Sequence, residues 1–126
     1  MGVVIRVDLA RYKYVDLEAS EALKLLSKIA EVTGKRGQDL DEAERYIRNF
    51  DEFYEYMQKK FKDYIAPPKR TDDYIRGLVV VDKLKLYKKD GEKRVVIVFD
   101  RRISVDDIKK ALEELGYKDI TVEKMG

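Results

Sequence analysis

A long stripe of large apolar residues constrains the fold of this chain more than any other feature. Between positions 40 and 64 these residues recur every three or four positions. That spacing keeps them on one side of a helix of about 25 residues, roughly 38 Å long. The stripe consists of Leu40, Ala43, Ile47, Phe50, Tyr54, Met57, Phe61 and Tyr64. Such a wide aromatic face must be buried, so we expect it to form core, a homodimer interface, or both. The interface residues would be Ile47, Phe50, Tyr54, Met57 and Phe61.

The ends of this helix carry their own signals. Asp39, with Glu42 three residues later, is predicted to cap its start, and Pro67-Pro68 to end it. Asn49 offers a second capping position, which would divide the helix in two. Because the apolar stripe runs on without a break, the sequence favours one continuous helix.

Shorter patterns predict the elements on either side. Alternation from Val3 to Leu9 predicts a first strand, and a helix should follow between an Asp16 cap and a Gly34 stop. Asp90-Gly91 lies between two alternating segments, which is the strongest short signal for a hairpin with a type I′ turn. Ser104 is predicted to cap a further helix, and a last strand should begin near residue 120.

The predicted order of elements is therefore β-α-α-β-β-α-β. Without the long helix it becomes β-α-β-β-α-β, the order of ferredoxin-like folds. We expect a single α+β domain over residues 1–126, with a ferredoxin-like antiparallel sheet of four strands. The long amphipathic helix is then an insertion into that fold.

Composition limits the chemistry. The chain of 126 residues has no cysteine and no histidine. This excludes disulfides and thiolate metal sites, and it removes the usual metal ligand and general base. We therefore expect no catalytic residues, no metal, no cofactor, and a protein that is not an enzyme. A metal-independent nuclease that uses Lys, Arg and Tyr is the enzymatic alternative.

The charge pattern is typical of hyperthermophile proteins, because charged residues make up 41% of the chain while amide side chains are scarce. Segment 67–102 holds 11 Lys/Arg against 6 Asp/Glu, a net +5, which hints at an anionic partner. No apolar run is long enough to span a membrane, and the N-terminus lacks the layout of a signal peptide. We expect a cytoplasmic protein without membrane contact, or one in the host cytoplasm or virion if it is viral.

The hairpin register predicts the sharpest candidate site. With Asp90-Gly91 as a two-residue loop, one sheet face is apolar, and the other carries Lys83, Lys85, Tyr87 and Arg94 around valines. A basic sheet surface with an aromatic residue is typical of modules that hold single-stranded nucleic acid. The alternative is a solvated edge whose lysines prevent aggregation.

Two further positions carry competing interpretations. Arg101 and Arg102 precede the Ser104 helix start, where a phosphate could bind. Acidic residues in the first turn of that helix favour a structural ion pair instead. Asp82 either points to the apolar face opposite Phe99 or marks a bulge in the strand.

The richness in Lys, Glu, Val and Tyr, the absence of cysteine and the compact α+β order resemble small uncharacterised proteins of hyperthermophilic crenarchaea and their viruses, including the globuloviruses. No motif carries this resemblance, and it transfers no functional residue. We expect a non-enzymatic interaction or structural protein that forms a homodimer, with a viral origin in keeping with the resemblance. The alternative is a nucleic-acid-binding module that uses the basic sheet face.

Overall fold

Residues 2–125, described by a computed structural model, form an α+β protein with one five-stranded sheet and five helices. The strands are β1 (Gly2–Val7), β2 (Lys13–Glu18), β3 (Val81–Lys89), β4 (Glu92–Phe99) and β5 (Asp119–Lys124). The helices are α1 (Ala19–Thr33), α2 (Gln38–Arg48), α3 (Phe50–Lys59), α4 (Thr71–Ile75) and α5 (Val105–Glu114).

The sheet has the strand order β3-β4-β2-β1-β5. Neighbouring strands are antiparallel except for β1 and β5, which are parallel. The α+β class is therefore confirmed. The expected ferredoxin-like arrangement is not, because the sheet has an extra strand, a parallel pair and a different order.

The extra strand, β2, includes Asp16, which the sequence pattern predicted to cap the start of the first helix. Val15 and Leu17 are buried in alternation, as a half-buried strand requires. The helix begins later because Glu18, rather than Asp16, caps it by accepting hydrogen bonds from the backbone N–H groups of Ser20 and Glu21. The predicted stop at Gly34 is confirmed.

The predicted continuous helix is divided at Asn49, which has a backbone conformation (φ −107°, ψ 45°) outside the helical region. The second helix ends at Lys59 rather than near the prolines. Asp39 is not the cap either, because Gly37 precedes the first turn and the Asp39 carboxylate points into the core.

The hairpin prediction is confirmed to the residue. Tyr87 pairs with Arg94 and Lys85 with Val96, and both turn residues have positive φ as a type I′ turn needs. The register shifts between Val81 and Lys83, so Asp82 marks a bulge. The Ser104 cap is also confirmed, since its Oγ accepts from the backbone N–H of Asp107 at 3.0 Å.

Helices α1, α2, α3 and α5 pack on one face of the sheet. The core under them contains alternate side chains of the strands, among them Ile5, Val15, Leu84 and Ile97. The intervening side chains point to the opposite face, which the helices leave uncovered. This open face is the surface that the hairpin lysines occupy.

Candidate nucleic-acid interface

Three rows of paired residues cross the open face. The first row contains Lys83, Val98, Tyr14, Arg6 and Glu123, in order from β3 to β5. The second contains Lys85, Val96 and Asp16. The third contains Tyr87, Arg94 and Glu18. Apolar, aromatic, basic and acidic side chains are thus interleaved on one surface. From Lys83 to Tyr87 it extends about 13 Å along β3.

The structure adds aromatic residues that the sequence did not place there. Tyr14 reaches the open face because β2 is a strand. Tyr64 is positioned by its neighbour Ile65, whose backbone N–H and C=O pair with Leu84 across the outer edge of β3 at 2.8 and 2.9 Å. With Tyr87, at least three tyrosines border the surface. The alternation of Lys13 to Glu18 was the one sequence signal that could have identified Tyr14.

Lys83 and Lys85, both on the edge strand β3, are the available cations of this surface. Within residues 2–125, neither Lys83 nor Lys85 has a carboxylate oxygen within 4.0 Å. Instead, the Lys83 ammonium lies 4.5 Å from the Tyr64 ring centroid and that of Lys85 lies 5.9 Å from the Tyr87 ring centroid. These contacts hold the charges beside aromatic faces without neutralising them.

Arg94 is bound within the protein. Its Nε donates to Asp16 Oδ1 at 3.0 Å, and the Tyr87 hydroxyl donates to the other oxygen of the same carboxylate. Burial acts to lower the pKa of Arg94, but its hydrogen bonds and the Asp16 charge outweigh burial and raise that pKa. Burial, together with the hydrogen bond to Asp16, also raises the pKa of Tyr87. Arg94 therefore holds the Asp16 carboxylate that orients Tyr87, and its charge is already paired.

A cavity of about 300 Å³ opens at one end of the face, beside the β1–β2 turn. Its lining consists of Asp8, Tyr12, Tyr14, Tyr64, Asp82, Lys83 and Val98. Val98 is only 6% exposed, although it belongs to the open face, because these neighbours surround it. The cavity combines aromatic rings, a cation and two carboxylates.

A second cavity, of about 440 Å³, shares Tyr12 and Asp82 with the first and continues toward Arg101 and Arg102. Arg102 donates to Asp100 Oδ1 and to the Tyr74 carbonyl, both at 3.0 Å. It therefore makes a structural ion pair, but with Asp100 rather than with the acidic first turn of α5. Arg101 is exposed, with its guanidinium 5.9 Å from the Tyr12 ring centroid.

The residues suggested for a dimer interface are mostly used inside the chain. Ile47, Phe50 and Met57 are buried, and Tyr54 is half-buried and stacks on Phe50 at 5.9 Å. Phe61, in contrast, is 96% exposed. The stripe is core for most of its length, and a homodimer, which stays a prediction, would use Phe61 and other surfaces.

Other chemistry is limited in the described part of the chain. Residues 2–125 contain no group of three or more His, Cys, Asp or Glu side chains that could hold a metal ion. They also contain no helix with the length and apolar character needed to cross a membrane. No family of proteins, no characterised protein and no solved structure matches this chain. The residues of the open face are therefore the basis for the functional inference.

Proposed function

We propose that this protein binds single-stranded nucleic acid on the open face of its sheet. The observation that carries the proposal is the interleaving of Tyr14, Tyr64 and Tyr87 with Lys83 and Lys85 on a surface without a covering helix. Tyrosine rings can stack on bases of any sequence, and lysines can follow the phosphates. The valines between them provide apolar contact area.

The charges of the face support a backbone-tracking role. Two of its carboxylates are paired, Asp16 on β2 with Arg94 at 3.0 Å and Glu123 on the edge strand β5 with Arg6 at 3.7 Å. Lys83 and Lys85 therefore provide positive charge along the edge strand β3, while Asp8 and Asp82 lie beside Lys83 at one end of the face. A phosphate chain lying along β3 would meet both ammonium groups in succession.

The shape of the face favours single strands over duplexes. Five strands at about 4.8 Å spacing span about 19 Å, whereas the major groove of B-DNA is about 12 Å wide. The sheet is therefore too wide to enter the groove, and its tyrosines reach only bases that are not paired with a partner strand. This protein thus shares with sheet-based single-strand binders an exposed sheet face that carries aromatic and basic residues, but it lacks their sequence motifs.

The experiment is a fluorescence anisotropy titration with labelled single-stranded DNA, RNA and duplex DNA at two salt concentrations. We expect single strands to bind more tightly than the duplex, with affinity that falls as salt rises. The double variant Lys83→Glu/Lys85→Glu should reduce binding strongly. Because this variant removes two cations that would neutralise phosphates, the slope of log affinity against log salt should decrease by about 1.4.

A matched control is Lys109→Glu/Lys110→Glu on α5, which makes the same change of charge at exposed positions of the helix layer. It should leave most of the affinity intact. Equal losses in both double variants would mean that net charge, rather than the open face, determines binding. Absence of binding by the unmodified protein at low salt would refute the proposed function.

A further inference from the structure

We infer that the 300 Å³ cavity at the end of the open face is a base pocket that selects guanine. This inference rests on the proposed function, because the pocket acts on a strand already bound along the sheet. The cavity is open to that strand at Lys83 and Val98, which belong both to its lining and to the first row of the face.

The walls of the cavity suit a flat aromatic ligand. Tyr12, Tyr14 and Tyr64 line it, and Val98 contributes apolar surface. The Tyr12 backbone is held by the β1–β2 turn, where its N–H donates to Asp8 Oδ1 at 2.9 Å and its C=O accepts from the Asp8 N–H at 3.0 Å. Base–tyrosine stacking there would contribute to binding of any nucleotide.

The carboxylates of the cavity exclude a phosphate and favour hydrogen-bond donors. The Asp8 carboxylate already accepts the Tyr12 N–H. Within residues 2–125 the Asp82 carboxylate makes neither a hydrogen bond nor an ion pair, although its backbone carbonyl accepts from Lys69 Nζ at 3.0 Å. Asp82 lines the cavity, its two carboxylate oxygens are available as acceptors, and it lies at the bulge of β3.

Guanine is the base that matches this acceptor. Its Watson–Crick edge presents two adjacent donors, N1–H and the N2 amino group, which can bond to the two oxygens of one carboxylate. Cytosine and adenine each present an amino group beside an acceptor nitrogen. Uracil and thymine place their single N–H between two carbonyl oxygens, which the carboxylate would repel. We expect the order guanine, then cytosine and adenine, then thymine and uracil.

Lys83 and Arg101 complete the path of the strand. Lys83 is at the mouth of the cavity, 4.5 Å from the Tyr64 ring centroid, and Arg101 follows along the adjoining cavity. The phosphates on the two sides of the selected base can therefore remain outside, near cations, while the base enters. This arrangement separates backbone contacts, which bind any sequence, from the base contact that selects one.

The test compares three labelled nine-nucleotide strands in the anisotropy assay: thymidines only, thymidines with one central guanine, and thymidines with one central inosine. Inosine lacks the N2 amino group and keeps the rest of the base. We expect the guanine strand to bind roughly 5- to 150-fold more tightly than the thymidine strand, the range for one bidentate contact. The inosine strand should fall between the two.

Asp82→Asn should abolish the guanine preference, since the amide offers one acceptor in place of two, and the thymidine strand should bind at least as tightly as it does to the unmodified protein because a repulsive charge is removed. The matched control is Asp90→Asn, which makes the same change of charge in the hairpin turn, a position that accepts Asn. It should keep the preference. Equal affinity for the thymidine and guanine strands would overturn the base pocket and leave the proposed function standing. No binding of any strand would overturn both.

Discussion

Asp39 ties the start of α2 to the start of β3, and its loss should be highly destabilising. Its side chain is 0% exposed, and one oxygen, Oδ2, accepts from the backbone N–H groups of Val80 and Val81, both at 2.8 Å. Asp39→Ala leaves two buried donors without an acceptor, at about 1–3 kcal/mol each. Removal of a buried charge offsets part of this, so the free energy of unfolding should fall by about 2–4 kcal/mol.

The amide variant Asp39→Asn separates the hydrogen bonds from the charge. Burial raises the pKa of Asp39, and the N–H bonds from Val81 and Val80 oppose that effect without cancelling it. A folded-state pKa above the unfolded one means that this carboxyl stabilises the fold fully below the unfolded pKa. That contribution is lost as pH rises through the folded pKa. The amide does not titrate, and its oxygen can still accept both N–H groups.

We therefore expect Asp39→Asn to lose less stability than Asp39→Ala, although its buried NH2 group replaces an oxygen that has no hydrogen-bond partner. Relative to the unmodified protein, the amide variant should gain stability as pH rises above the ordinary aspartate pKa of about 4. Urea unfolding followed by far-UV circular dichroism at several pH values measures both effects. If the free energy of unfolding of Asp39→Ala lies within about 0.5 kcal/mol of that of the unmodified protein at pH 7, the two buried hydrogen bonds do not stabilise the fold.

The same urea assay tests four further changes. Met57→Ala should cost about 2–5 kcal/mol, because that side chain is 1% exposed, and a smaller loss would mean that the site collapses without a cavity. Phe61→Gly should raise the free energy of unfolding by about 0.5–1 kcal/mol, because Phe61 is 96% exposed and has a φ of 52°, a left-handed conformation that glycine adopts more easily. A fall in the free energy of unfolding would show that the Phe61 ring makes a stabilising contact. Gly37→Ala should cost about 1–3 kcal/mol, since the added Cβ would lie 2.8 Å from Asp73 Oδ2. Ser104→Ala should cost about 1 kcal/mol through its lost cap, and unchanged stability would argue against that cap.

Features set by short-range chemistry could be predicted from the sequence. Asp90-Gly91 supplies the two positive-φ residues of a type I′ turn, and its position fixes the pairing of Tyr87 with Arg94. The Ser104 cap depends on a residue only three positions away. These predictions placed the basic residues of the candidate site on one face of the sheet.

Features set by long-range contacts could not be predicted in the same way. The stripe continues across Asn49 because both α2 and α3 bury their apolar faces in the same core, although the backbone bends between them. Asp39 carries a capping pattern, but its partners are Val80 and Val81, far along the chain. Periodicity reports which side chains are buried and does not report what they are buried against.

The tyrosines of the site show the same limit. Tyr14 became part of the open face only because β2 lies between β1 and β4. Tyr64 did so because the segment after α3 pairs at Ile65 with the edge of β3. Strand order and edge pairing are properties of the assembled sheet, so the sequence pattern predicts a face with one aromatic residue where the structure has at least three.

The most direct test of the open face is an NMR titration of the isotopically labelled protein with a short oligothymidine strand, in which backbone amide shifts are followed. We predict that the largest shift changes map to β3, β4 and β2, around Lys83, Lys85 and Val96, and that the amides of α1 and α5 change little. Shift changes concentrated on the helix layer, or no changes at low salt, would contradict a single-strand binding role for this face.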